Sequence, residues 1–392
     1  MSESKGGDIE KISRTGVDVT YTVDLSSINI KDIPDLSQYK HCKSLDLSCN
    51  QISAIWKDVF QKCPHLKELK LYSNNLQEME GTKYLQHLES LQLQYNKINS
   101  LNDALCNCKN LKFLRLDSNR FSILKSQELQ TLHILSYLDI SSNRVDDISS
   151  LTVLSSLKEL HCTHNKLKTI PNLKSLTKLE EIDFSHNELT SVTGLKGMRS
   201  LKILYVKNNK IKCLTSVDKL KSLTELNLAN NQLEILSQFP KQFPSLEILS
   251  VADNLVGKPN DMLSLSELDF LKELDIQNNP ATIDASILDS LSKHLLDQLE
   301  LVMYNGKNVQ KHNKEMMNRP RSAMRPMSAN KMISEKTISN QLQYDEMCLA
   351  DFEDRIKSQF LAVQGLLEEL PKSKPTGKDG ENFYFFLSYS YL

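Results

Sequence analysis

Residues 157–189, LKELHCTHNKLKTIPNLKSLTKLEEIDFSHNEL, state one 22-residue pattern and then begin it again. Leu157, Leu160, Cys162, Asn165 and Leu167 recur as Leu179, Ile182, Phe184, Asn187 and Leu189. Leu160 and Cys162 alternate with polar residues, the period of a short strand with one face turned inward. An Asn at a fixed distance from them predicts a side-chain amide turned inward where the strand ends. Its two donors and one acceptor suit the backbone groups that a sharp turn leaves unpaired. Beyond it Leu167, Ile170, Leu173, Leu176 and Leu179 come every third residue, as in tight 3₁₀ turns. No such unit can bury its apolar side alone, so each must stack on its neighbours.

The same Asn marks eleven units: Asn50, Asn74, Asn96, Asn119, Asn143, Asn165, Asn187, Asn209, Asn231, Asn254 and Asn279, spaced by 22 to 25 residues. The pattern LxxLxLxxNxL resembles the leucine-rich repeat. The resemblance implies an α/β solenoid: a curved parallel sheet, short 3₁₀ or helical segments on the convex side, and non-catalytic protein binding. It covers about residues 19–310.

The ends depart from the repeat. Residues 1–18 are polar and weakly patterned, and are expected to be disordered. A degenerate unit follows with Val23, Leu25, Ile28 and Ile30, where Ile28 stands in the Asn place, as in a capping unit. The connections after Asn119 and Asn254 are long and are expected to bulge from the convex side or an edge. After Asn279 the segment ASILDSLSKHLLDQLELVMYNGKNV reads as an amphipathic helix and then a turn at Asn305-Gly306. It resembles the C-terminal cap of intracellular leucine-rich repeat proteins, through Leu301, Tyr304, Asn305, Gly306 and Val309.

From 307 to 336 eight Lys and Arg face two Glu among Met, Ser, Pro and Asn. A basic disordered linker is expected over 311–340. Within it Ser322 and Ser328 lie three residues after Arg319 and Arg325, a spacing that suits a basophilic kinase. Residues 341–370 are expected to form an amphipathic helix, with Leu342, Leu349, Ile356, Val363 and Leu370 spaced by seven. A polar and then aromatic tail fills 371–392.

Composition narrows the function. With 48 Lys and Arg against 49 Asp and Glu, the net charge of -1 offers no global attraction to nucleic acid or an anionic membrane. The start MSESKGGDIEK has no apolar signal region, and no apolar run approaches the roughly 18 residues of a membrane span. A cytoplasmic protein is expected, with cilium, cytoskeleton or nucleus as alternatives. The eight cysteines show no CxxC spacing and read as reduced structural thiols. Phosphate loops, HExxH, GxSxG and kinase signatures are absent, so neither enzyme activity nor a cofactor is expected. His161 with Asp183, and His164 with His186, occupy matching places in successive units. The repeat makes such stacks by itself, and no metal is expected.

The residues flanking the inward pairs point to a partner. Tyr72, Tyr95, Phe113, Arg115, Tyr137, Asp139, His161, Asp183, Tyr205 and Lys207 are expected to gather on the concave face. Aromatics and Arg are the residue types that anchor interfaces. The inward positions would supply the core without them. The resemblance extends to the leucine-rich repeat regulatory subunit of protein phosphatase 1 and to axonemal and centrosomal repeat proteins. It implies a scaffold or regulatory subunit holding a globular protein, such as a phosphatase or a cytoskeletal protein. The alternative is a structural component of a cytoskeletal or ciliary assembly.

Overall fold

The computed structural model describes residues 9–15, 18–214 and 217–309. The linker, helix and tail expected over 311–392, with Ser322 and Ser328, lie outside them. Among the described residues fifteen strands form one open sheet in chain order. They are β1 (Ile9–Thr15), β2 (Asp18–Asp24), β3 (Cys42–Asp46), β4 (Glu68–Lys70), β5 (Ser90–Gln92), β6 (Phe113–Arg115), β7 (Tyr137–Asp139) and β8 (Glu159–His161). Then come β9 (Glu181–Asp183), β10 (Ile203–Tyr205), β11 (Glu225–Asn227), β12 (Ile248–Ser250), β13 (Glu273–Asp275), β14 (Met303–Tyr304) and β15 (Lys307–Asn308). From β2 to β14 all neighbours are parallel, with a register shift at Tyr21/Thr22. An antiparallel partner closes each end, β1 on β2 and β15 on β14. β1 and the first residue of β2 fall within the segment 1–18 that was expected to be disordered, and its residues 1–8 and 16–17 lie outside the described residues. An added strand covers the edge that a parallel sheet would otherwise offer to another chain.

The inward pair of each strand, such as Leu160 with Cys162 or Ile182 with Phe184, is fully buried. The return segments tighten into 3₁₀ turns such as Glu80–Tyr84, Ser149–Val153 and Thr193–Leu195. In three of the longer steps an α-turn takes up the extra residues, whereas the 24-residue step from Asn50 to Asn74 uses the 3₁₀ turn Val59–Lys62. The α-turns are α1 (Ser126–Leu129) after Asn119, α2 (Phe239–Gln242) after Asn231, and α3 (Pro259–Leu263) after Asn254. Return segments pack closely. A Cβ on Gly194 would lie 2.2 Å from the Ile170 carbonyl oxygen and 2.3 Å from that of Pro171, so only glycine fits there.

The eleven asparagines are all buried and make one ladder. Asn74 is representative. Its Nδ2 donates to Leu47 O at 3.0 Å in the preceding unit and to Leu71 O at 3.1 Å in its own. Its Oδ1 accepts from Ile52 N at 3.0 Å, again in the preceding unit. The bonds point backward along the chain, which explains the degenerate first unit. Ile30 N donates to Asn50 Oδ1 at 3.1 Å, so that unit needs no Asn of its own and Ile28 is left exposed.

At the far end α4 (Ala285–Gln298) starts at Asp284, whose carboxylate accepts from Ser286 N and Ile287 N. It buries Leu291 and Leu295. Tyr304 of the cap segment is buried with its hydroxyl 2.9 Å from Ser292 Oγ. Asn305 and Gly306 have φ of +50° and +73°, as a two-residue turn between β14 and β15 requires.

Candidate functional site: the concave face

Three places in each unit lie on the sheet side away from the core. Two are on the strand, flanking the first inward residue, and one follows the second inward residue. The next residue, just before the Asn, belongs to the turn. In all eleven units it is a non-glycine residue in the left-handed region, with φ between +51° and +58° from Cys49 to Asn278. Several units place Asn or Asp there, residues that tolerate this conformation.

This register sorts the expected partner residues. Phe113, Arg115, Tyr137, Asp139, His161, Asp183 and Tyr205 lie on strands β6 to β10. Tyr72 and Lys207 follow the second inward residue, Tyr72 half-buried and Lys207 exposed. Tyr95 is the correction: with φ of +58° and 50% exposure, it stands on the turn and not on the strand face. His164 and His186 share that turn position, stacked with ring centroids 4.0 Å apart and planes at 16°. Among the described residues no group of three or more His, Cys, Asp and Glu is placed to hold a metal.

Parallel pairing sets Phe113 beside Tyr137 and Asp139 beside His161. The rings of Phe113 and Tyr137 stack at 4.3 Å with planes 14° apart, and Tyr137 meets His161 at 5.3 Å. His161 Nε2 lies 4.0 Å from Glu181 Oε1, and further along Tyr205 donates its hydroxyl to Glu225 Oε1 at 2.6 Å. Arg115 holds Asp117 through two bonds, Nε to Oδ1 at 2.9 Å and Nη2 to Oδ2 at 3.2 Å. Asp139 Oδ2 lies 3.9 Å from Arg115 Nη2.

Three of the expected partner residues are buried rather than presented on an open face. Tyr137 is 7% exposed, and Arg115 and Asp139 are each 8% exposed. Phe113 and His161 are half-buried. The guanidinium faces two carboxylates, Asp117 two residues along its own unit and Asp139 from the next unit, 24 residues away in sequence. Asp117, on the place after the second inward residue, was not among the expected partner residues.

Burial and the like charge of Asp139 push the Asp117 carboxyl up to about 7, against the pull of Arg115. The folded chain then keeps this proton at pH values where the unfolded chain, with an ordinary value of 3.8, has released it. A carboxyl raised on folding makes stability fall as pH rises, here between about 4 and about 7. Asp117→Asn is expected to flatten that fall. Urea midpoints of the two proteins at pH 5 and pH 8 check it, and equal differences at both pH values would contradict it.

The cysteines of the described residues are free. Burial pushes the Cys42 and Cys63 thiols up to about 11 and Cys108 up to about 12, so they stay protonated and unreactive.

Two family models match the chain: "Leucine-rich repeat region" over residues 22–195 and "Leucine-rich repeat" over 156–264. Among curated proteins, the rat leucine-rich repeat-containing G-protein coupled receptor 5 is 30% identical over 132 residues, 33% of this chain and 15% of that protein. Rat osteomodulin is 30% identical over 122 residues, 30% of this chain and 28% of its own length. The chain therefore spans less than a third of either relative. Among solved structures, an internalin (inlF) of Listeria monocytogenes aligns with a TM-score of 0.59 at 23% identity, covering 74% of this chain and 90% of that one. The plant peptide hormone receptor RGFR1, solved in complex with RGF2, gives 0.54 at 23% identity, covering 72% and 46%. These likenesses establish the fold. No helix among the described residues is long and apolar enough to cross a membrane.

Proposed function

Because the chain is a leucine-rich repeat protein, we propose that it is a non-catalytic scaffold or regulatory subunit that grips a globular protein partner on its concave face. The supporting observation is the continuous file Phe113–Tyr137–His161 across three adjacent strands. Rigid aromatics lose little conformational freedom on binding and shed much apolar surface, so a file of them is suited to anchor a partner. Asp183, Tyr205 and Lys207 continue the surface. A phosphatase or a cytoskeletal protein is the partner this reading favours, within the cytoplasm.

Half-buried Phe113 and His161 are the sharper probes, because truncating buried Tyr137 would disturb fold and binding together. Phe113→Ala with His161→Ala is expected to weaken the main partner by at least about 2 kcal/mol, roughly thirtyfold, with a melting temperature within a few degrees of wild type. Quantitative affinity capture of the full chain and this variant from the same cells measures it. Equal recovery of every specific partner would remove the concave face as the site.

The second reading, a component of a cytoskeletal or ciliary assembly, draws on the basic composition of 307–336. Acidic filaments such as microtubules would be its partner, and co-sedimentation that depends on those residues but not on Phe113 would favour it.

A further inference from the structure

We infer that the concave face between Gln94 and Glu225 takes an extended, Arg- or Lys-bearing segment of a partner protein, laid across the strands. The inference rests on the reading of that face as the interaction surface, and names the class of partner.

Charge is the first support. Register stacks Glu159, Glu181 and Glu225 in one line, with Ile203 between the last two, and sets Asp183 beside it. Among the described residues none of these four carboxylates has a Lys or Arg in salt-bridge range, and the only cationic candidate is His161, 4.0 Å from Glu181. The lysines nearby pair elsewhere, Lys202 with Glu180 and Lys210 with Glu188. Lys207 adds one exposed cation two residues beyond β10. Burial first, then carboxylate neighbours, raise Glu181 above the usual carboxylate range, and His161 opposes the rise. A row of carboxylates that the fold meets with a hydroxyl and a histidine but no Lys or Arg ion pair is complementary to a cationic partner.

The second support is independent of charge. Gln94 is 1% exposed, yet neither its amide nitrogen nor its amide oxygen has a hydrogen-bond partner. By strand alternation it lies on the side of Gln92, opposite the inward Leu93. A buried primary amide left unpaired is costly, and its donor and acceptor match those of a peptide group. Between Gln94 and the carboxylates lies the Phe113–Tyr137–His161 file, whose ring faces suit a guanidinium or an alkyl stem. From β5 to β11 is six strand steps, about 29 Å, which about nine extended residues span.

The test is fluorescence anisotropy of the purified full chain with a short labelled peptide of alternating Arg and Ser. A peptide of Glu and Ser serves as the charge control. Glu181→Gln with Asp183→Asn and Glu225→Gln should weaken Arg-peptide binding at least about tenfold. The matched variant Glu180→Gln, Glu188→Gln and Glu247→Gln removes equal charge off the face and should change it less than about twofold. Gln94→Leu should weaken binding several-fold while the fold, by circular dichroism, is unchanged. Raising salt should weaken the wild-type complex. Absence of Arg-peptide binding, equal binding of the Glu peptide, or equal effects of the two triple variants would overturn the inference. If partner capture still depends on Phe113 and His161 in that event, the face remains the interaction surface and only the partner class is wrong.

Discussion

Arg115→Leu is expected to lower the free energy of unfolding by about 3 kcal/mol, the lower part of the range for breaking a buried ion pair. Arg115 is buried between Asp117 and Asp139, at 2.9 Å and 3.9 Å. Without it two buried carboxylates face each other, and Asp117, already pushed up to about 7, softens the loss by taking a proton. The double change Arg115→Leu with Asp117→Leu should be less damaging than the single one, because it removes a stranded charge along with its partner. Urea denaturation of the three proteins at pH 7 measures this. A single-variant cost below about 1 kcal/mol would mean that the group behaves as an exposed pair.

Asn187→Ala is expected to cost a similar amount, also about 3 kcal/mol, for a different reason. The Asn187 amide donates to Cys162 O at 2.9 Å and Phe184 O at 3.0 Å, and accepts from Leu167 N at 3.0 Å. Alanine removes these partners inside a turn that is closed to water. Two units are affected, because the bonds join one to the next, so the loss should spread beyond residue 187. Hydrogen exchange should show the Leu167 amide losing protection together with Asn187's own turn. Retained protection at Leu167 would contradict the backward-pointing ladder.

That ladder was legible in the sequence because it obeys a single spacing, and the inward leucines follow from period two around it. The unit that lacks Asn was legible as a cap, but its reason was not. The bond from Ile30 N to Asn50 Oδ1 shows that the first unit is served by the Asn of the next, as every later unit is. Tyr95 was misplaced because polar and aromatic residues next to an inward pair look alike in sequence, whereas backbone φ decides which of them leave the strand. Burial of Arg115, Tyr137 and Asp139 depends on contacts between neighbouring units, and no local pattern encodes it. Strand β1 was missed for a related reason: in IEKISRT only Ile9 and Ile12 are apolar, three residues apart, so the segment carries no period-two signal.

The central claim is that partners meet the concave face, and site-specific photocrosslinking tests it most directly. A benzophenone amino acid would replace half-buried Phe113 on β6 in one full-length protein. In another it would replace Ile235, which is 51% exposed on a return segment. Irradiation in cells is expected to give a discrete protein adduct from position 113, lost when His161→Ala is added, and none from position 235. Adducts from position 235 with none from position 113 would place the partner on the other side of the solenoid and contradict the account.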